Sequence, residues 1–267
     1  MEILEIDGRR LSYADTGSGQ PLVFVHGVGT SGELWADDLA SLGQHCRLIA
    51  YDRRGYGASS ASPRDWRQHR ADAEALIEAL DAAPAVLVGY SGGSMVTLPL
   101  ALERPDLVSS LVLLDPAFDL EHCRTASFIR AVLGTQARRR LFGERRGAEH
   151  WMRYVASYST GGSAFDKASP QRRERLLGNA PAIFDDYASD TGDDFEESRW
   201  ASIAAPVTIV EAALSPSFLR RSCERLKQLL PQAKTVTLEN SGHYVSVDAR
   251  DELLALLREA VVTESRS

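Results

Sequence analysis

Six short runs in this 267-residue chain read as nearly continuous apolar strands: 21–27 (PLVFVHG), 46–52 (CRLIAYD), 85–90 (AVLVGY), 108–115 (VSSLVLLD), 206–210 (PVTIV) and 234–240 (KTVTLEN). A strand with one wet face alternates apolar and polar side chains. A run that does not alternate is buried on both faces, as in a mostly parallel sheet covered by helices. Helical patterns lie between the runs. Residues 66–81 put Ala73, Leu76, Ile77 and Leu80 on one stripe, 216–230 repeat Leu219, Cys223, Leu226 and Leu230, and the last segment carries Leu253, Leu256, Leu257 and Ala260. This alternation predicts an α/β doubly wound sheet with helices on both sides. At the N-terminus, EILEID and RRLSYAD flank Asp7-Gly8, a hairpin dipeptide.

One interval breaks the rhythm. From Ala117 to about Ala205 no strand pattern occurs, and the segment is rich in Arg, Asp and aromatic residues. It is too long for a loop in a compact domain. The expected organisation is one core, 1–116 with 206–267, carrying a helical cap inserted at 117–205. Composition is that of an ordinary globular chain, 44% hydrophobic and 25% charged. The net charge of −7 argues against a nucleic-acid surface. No apolar run approaches the roughly 20 residues of a membrane helix, and MEILEIDGRR lacks a signal-peptide pattern. Cys46, Cys123 and Cys223 form neither a disulfide framework nor a metal pattern. A reduced, cytoplasmic protein with no metal, cofactor or membrane partner is expected.

The chemistry gathers around Gly89-Tyr90-Ser91-Gly92-Gly93, a G-x-S-x-G pattern that follows an apolar strand and precedes the helical run SMVTLPLALE. In that context the serine sits on a sharp, strained turn with its oxygen exposed, and small residues two before and two after prevent clashes. The alternative reading is a plain glycine-rich turn. A second glycine-rich turn, His26-Gly27-Val28-Gly29, also ends a strand. It can aim backbone N–H groups at an oxyanion, with Val28 (or Gly27) and Gly92 as the expected donors; His26 is expected to brace the loop. His243 lies in ENSGHYVSVD between the last strand and the last helix, where it can serve as the base.

HGVG, YDRRGYGAS (51–59), GYSGGS, LVLLDPA and SGHY occur in an order and spacing that resembles the α/β-hydrolase superfamily. The resemblance covers nearly the whole chain. It implies a mostly parallel eight-stranded α/β-hydrolase sheet flanked by helices, with an inserted helical cap after the sixth strand, and serine-based catalysis without a cofactor. It also implies an acid just after the seventh strand, but there the sequence reads PVTIVEAALSP, with Ser215 in the acid's place. Asp115, ending the sixth strand, is the expected acid, with Glu211, or no functional acid at all, as the alternatives. One group of haloalkane dehalogenases, pancreatic-type lipases and zearalenone-type lactonases take the acid from Asp115's position. EAALSPSF (211–218) and LLGNAPAIFDDYA (176–188) resemble the lactonases further. Those enzymes use glutamate where this chain has Asp115, and their lid tryptophan would fall near Ile183.

The predicted catalytic set is therefore Ser91, His243 and Asp115, acting on a small-molecule ester or lactone. A cofactor-free lyase, cyclase or transferase on the same fold, and a ligand receptor, are the alternatives. Trp151, Tyr154, Phe184 and Tyr187 either line a pocket over Ser91 or pack as cap core. Gly29, Tyr90 and Ile183 are further candidate substrate contacts. ARRRLFGERR (137–146) reads as a solvated helix face and DDYASDTGDDFEES (185–198) as a solvated lid or loop. A homodimer is compatible with the sequence.

Overall fold

All the runs named above become strands in the computed structural model, which describes residues 1–63, 65–189 and 197–264. β1 (Glu2–Ile6) and β2 (Arg9–Thr16) form the antiparallel hairpin, with Asp7 and Gly8 both at positive φ, 49° and 75°. That is the backbone a two-residue turn between right-twisted strands requires. β3 (Pro21–Val25), β4 (Arg47–Tyr51), β5 (Ala85–Tyr90), β6 (Val108–Leu114), β7 (Val207–Ala212) and β8 (Lys234–Leu238) are the buried runs. The eight-stranded sheet has the order β1-β2-β4-β3-β5-β6-β7-β8 and is parallel from β4 to β8.

Helices α1 (Gly32–Asp38), α2 (Trp66–Ala79) and α3 (Ser94–Glu103) connect the first strands. Between β6 and β7 come α4 (Leu120–Cys123), α5 (Ala126–Phe142), α6 (Glu144–Val155), α7 (Ala164–Lys167), α8 (Pro170–Gly178), α9 (Ala180–Ala188) and α10 (Glu197–Trp200). α11 (Ser217–Leu229), α12 (Val245–Asp248) and α13 (Arg250–Glu264) complete the chain. Side-chain oxygens of Ser31, Asp65, Thr125 and Ser169 accept the free N–H groups that open α1, α2, α5 and α8, each cap contributing about 1 kcal/mol.

The stripes predicted from spacing face the sheet. Ala73, Leu76, Ile77, Cys223 and Leu226 pack with Val23, Leu87 and Leu111 on one side, and Leu253 and Leu257 with Phe24, Val86 and Val112 on the other. Burial of each Leu, Ile, Val or Phe side chain among these stabilises the fold by about 1.5–3 kcal/mol. A third cluster, including Phe128, Trp151, Phe165, Phe184 and Phe218, lies beneath the helices between β6 and β7. Among the described residues no helix is long and apolar enough to cross a membrane.

Strand register positions the site. Val25 pairs with Gly89, Tyr90 with Leu114, and Leu114 with Val210. The residues that follow β3, β5, β6 and β7 therefore emerge together at the carboxyl edge, where open α/β sheets present ligand sites.

Candidate active site

Ser91 stands at φ 52°, a left-handed conformation that a non-glycine residue adopts only under constraint. The constraint is visible. Its carbonyl accepts from Ser94 Oγ (2.6 Å) and from the Ala117 N–H (3.1 Å). A Cβ on Gly93 would lie 2.2 Å from Val25 O, and one on Gly89 2.2 Å from Thr97 Oγ1. Gly93 is thus required by close approach of the β3 backbone, and Gly89 by the Thr97 side chain packed against it.

His243 Nε2 lies 3.0 Å from Ser91 Oγ, and His243 Nδ1 lies 2.6 Å from Asp115 Oδ2. A carboxylate only accepts, so Nδ1 carries the proton and Nε2 is left to accept from the serine hydroxyl. The ring is stacked on Tyr90 (centroids 4.9 Å apart), whose hydroxyl donates to the His243 carbonyl (2.9 Å). The loop around it is stitched down. Gly242 N–H donates to Asp248, Tyr158 hydroxyl donates to that carboxylate's other oxygen, and Leu214 N–H donates to Ser241 O.

Asp115 is wholly buried and also adopts positive φ, 40°. Its Oδ1 accepts the Ala212 N–H (3.2 Å) and its Oδ2 accepts the Ser215 hydroxyl (2.6 Å) as well as the imidazole. Ser215, which in the sequence marks a missing acid, is therefore a hydrogen-bond donor to the carboxylate supplied from β6. Nothing in the sequence alone pointed to that contact. Glu211 is engaged elsewhere, with its carboxylate 2.7 Å from Lys227 Nζ.

The 26–30 loop faces the serine. A Cβ on Gly27 would lie 2.7 Å from Ser91 Cβ, and one on Gly92 would lie 3.7 Å from Val28 N. Among the described residues the Val28 N–H has no acceptor. His26 is buried, with Nδ1 2.8 Å from Gly27 O and Nε2 accepting the Arg53 N–H (2.9 Å), so it does brace the loop. Burial and the Arg53 charge hold its pKa well below the ordinary histidine range.

Ser91, Gly92 and His243 open onto a cavity of about 780 Å³. Trp151, Phe184 and Tyr187 line it, joined by Trp66, Phe128 and Phe218. Tyr154 instead stacks on Phe218, Ile183 is fully buried, Gly29 faces Met152 and Ile183, and Tyr90 lies beneath His243; these four lie outside the lining. Trp66 and Phe218, single aromatics at the first turns of α2 and α11, carry no motif that marks them as pocket residues in the sequence. The acidic segment also differs, at Asp186, from its reading as a solvated lid or loop. Asp186 is buried, with its carboxylate on Arg53 (2.7 Å); residues 190–196 of that segment lie outside the described residues. Burial alone would raise the Asp186 pKa, but Arg53 and His69 outweigh it and hold the group below the usual carboxylate range.

Such an arrangement can deprotonate a serine hydroxyl and hold the resulting imidazolium against a buried carboxylate. Comparison with known proteins agrees with the class. Residues 20–249 match the model of the alpha/beta hydrolase fold, and the chain belongs to that family. It is similar to the (E)-2-((N-methylformamido)methylene)succinate hydrolase of Acinetobacter baylyi, with 27% identity over 92% of both chains. Among solved structures it resembles the N-acyl homoserine lactone degrading enzyme Est816 (TM-score 0.79, 22% identity, 97% of this chain and 99% of that one). It also resembles a thermophilic esterase from Thermogutta terrifontis (TM-score 0.77, 21% identity, 99% of both).

Proposed function

We propose that this protein is a serine hydrolase that cleaves a carboxylic ester or lactone through an acyl-enzyme on Ser91. The observation that carries this reading is the unbroken contact chain Ser91 Oγ–His243 Nε2, His243 Nδ1–Asp115 Oδ2, opening onto an apolar cavity. His243 takes the serine proton as Oγ attacks the substrate carbonyl, and Asp115 offsets the imidazolium charge. Backbone N–H groups of Val28 and Gly92 receive the developing oxyanion, with Gly27 close by. The imidazolium then gives its proton to the leaving alkoxide, and a water activated by the same histidine releases the acid.

Aromatic walls, with the charged lining residues paired (Asp186 with Arg53, Glu121 with Arg124), favour an uncharged, bulky substrate. The helices between β6 and β7 act as the cap that selects it. The names borne by the relatives, a hydrolase, a lactone-degrading enzyme and an esterase, support acyl transfer to water without choosing among its substrates.

A fluorophosphonate probe run beside a panel of 4-nitrophenyl esters and lactones tests the reading. Ser91 is expected to be labelled and esters or lactones turned over, with both lost in Ser91→Ala. An unlabelled Ser91 would sink the proposal. Labelling without ester or lactone turnover would point to a lyase, cyclase or transferase instead.

A further inference from the structure

Asp186 lies on α9, far along the chain from the 26–30 loop. Asn179 Nδ2 holds the Gly29 and Thr30 carbonyls of that loop (3.2 and 3.4 Å) and Trp35 Nε1 holds Thr30 Oγ1 (3.3 Å), but the bonds on both sides of Val28 trace back to Asp186. Its carboxylate takes both Arg53 terminal nitrogens, at 3.2 and 2.7 Å, and the Tyr56 hydroxyl at 2.6 Å. Arg53 is fully buried and lies between the rings of Tyr56 (4.9 Å) and Trp66 (4.7 Å). His69 Nε2 stands 3.5 Å from the same carboxylate, and Trp66 Nε1 donates to the Asp186 carbonyl (3.3 Å).

Two lines lead from this cluster to the loop. Along the first, the Tyr56 hydroxyl, donating to Asp186, accepts the Gly29 N–H (3.2 Å). Along the second, the Arg53 side chain donates from Nε to the His26 carbonyl (3.1 Å), while its backbone N–H donates to His26 Nε2. That leaves His26 Nδ1 to donate to Gly27 O, which also accepts from Thr30 Oγ1 (3.3 Å). The peptide planes on both sides of Val28 are thereby pinned, one at the Gly27 carbonyl and one at the Gly29 N–H. A trans peptide directs the Val28 N–H opposite to the pinned Gly27 carbonyl. The Gly29 N–H is committed to Tyr56 and is withdrawn from the reacting centre.

We infer that Asp186 is a positioning residue for the oxyanion donors: from the helices over the pocket it locks the 26–30 loop, through Arg53 and Tyr56, into the orientation that aims the Val28 N–H at Ser91. The inference rests on the serine-hydrolase reading. Seating of α9 and readiness of the Val28 amide are then coupled, because the Asp186 carboxylate on α9 holds the groups that pin both flanking peptides.

The test uses the full chain with 4-nitrophenyl butyrate and a fluorophosphonate. Tyr56→Phe keeps the ring against Arg53 and removes only the hydroxyl. Removing an oxyanion donor costs on the order of 10²–10³ in kcat; misaiming one is expected to cost about tenfold. Tyr56→Phe should lower kcat by about that factor with KM near wild type, and slow phosphonylation of Ser91 in parallel, both read well below a Tm that loss of the buried hydroxyl also lowers. Asp186→Ala should lower kcat further, and added formate, which can occupy the vacated place on Arg53, should restore part of it while formamide does not. Wild-type kcat and phosphonylation rate in Tyr56→Phe would overturn the inference. So would a loss in Asp186→Ala that only follows the unfolded fraction and ignores formate. If Asp186→Ala does not fold, Tyr56→Phe decides alone. Failure of the underlying reading looks different: the wild type itself would be neither labelled nor active.

Discussion

Ser91 and Asp115 share an unusual property: both are non-glycine residues at positive φ, each directly after a strand. Each left-handed turn stops its strand and swings a side chain to the ligand side of the sheet. The cost, of order 1–3 kcal/mol apiece, is offset by the bonds around each residue, among them the Ser94 and Ala117 contacts to Ser91 O and the Ala212 and Ser215 contacts to Asp115. Asp115→Asn is expected to lower kcat by about 10³–10⁴-fold, because the amide cannot stabilise the imidazolium and disturbs the tautomer; the fold should survive with a lowered Tm, because the amide nitrogen must face a buried donor. Near-wild-type turnover by that variant would place the acid elsewhere. Ser215→Ala removes a buried donor to a charged group, and a loss of about 1–3 kcal/mol in denaturant unfolding is expected, with a smaller fall in kcat than Asp115→Asn. Ser91, Asp115 and His243 were legible because each ends or follows a strand in a recognisable string. Ser215 was legible only as an anomaly. Its role depends on a contact across two strands that residue spacing does not encode.

At the scale of elements, the tight approach of β3 to the turn after β5 explains why Gly93 is needed. In Gly93→Ala the new methyl would meet the Val25 carbonyl at 2.2 Å, and backbone on both sides would have to move. Overpacking of this kind costs about 1–3 kcal/mol, which in a chain of this size lowers Tm by roughly 2–10 °C. A thermal melt of Gly93→Ala unchanged from wild type would show that the turn has more room than described. Strands and the helices α2, α11 and α13 were legible because a two-sided burial or a clean apolar stripe leaves its period in the sequence. α1 was missed, being only seven residues long. The elements between β6 and β7 resisted division because α5 does not segregate its faces. Ile129, Leu133, Leu141 and Phe142 are exposed on it, whereas α6 buries Trp151, Met152 and Val155.

For the whole molecule, the buried cluster beneath the cavity predicts an acid limit. His26 and His69 have pKa values lowered by burial and by Arg53. Unfolded, both would bind protons near the ordinary value of about 6.5. The stability that their neutral forms contribute is complete above that pH and is lost as pH falls below it. Asp186 acts lower down: its depressed folded value keeps its contribution intact above the unfolded carboxylate range, about 4, and acidification below that erodes it. Tm is therefore expected to fall between pH 6.5 and 5, and less steeply in His69→Gln. A flat Tm across that window would contradict this account. The contact between Ser215 and Asp115 has a consequence for how chains of this kind are sorted. Both the serine oxygen and the imidazole nitrogen touch the same carboxylate oxygen at 2.6 Å, so the ends of β6 and β7 converge on one ring. Sorting by the residue type after the seventh strand would file this chain among degenerate copies that have lost their chemistry. Sorting by which carboxylate touches the imidazole instead groups it with chains whose histidine has a buried acid partner, whichever strand happens to carry that acid.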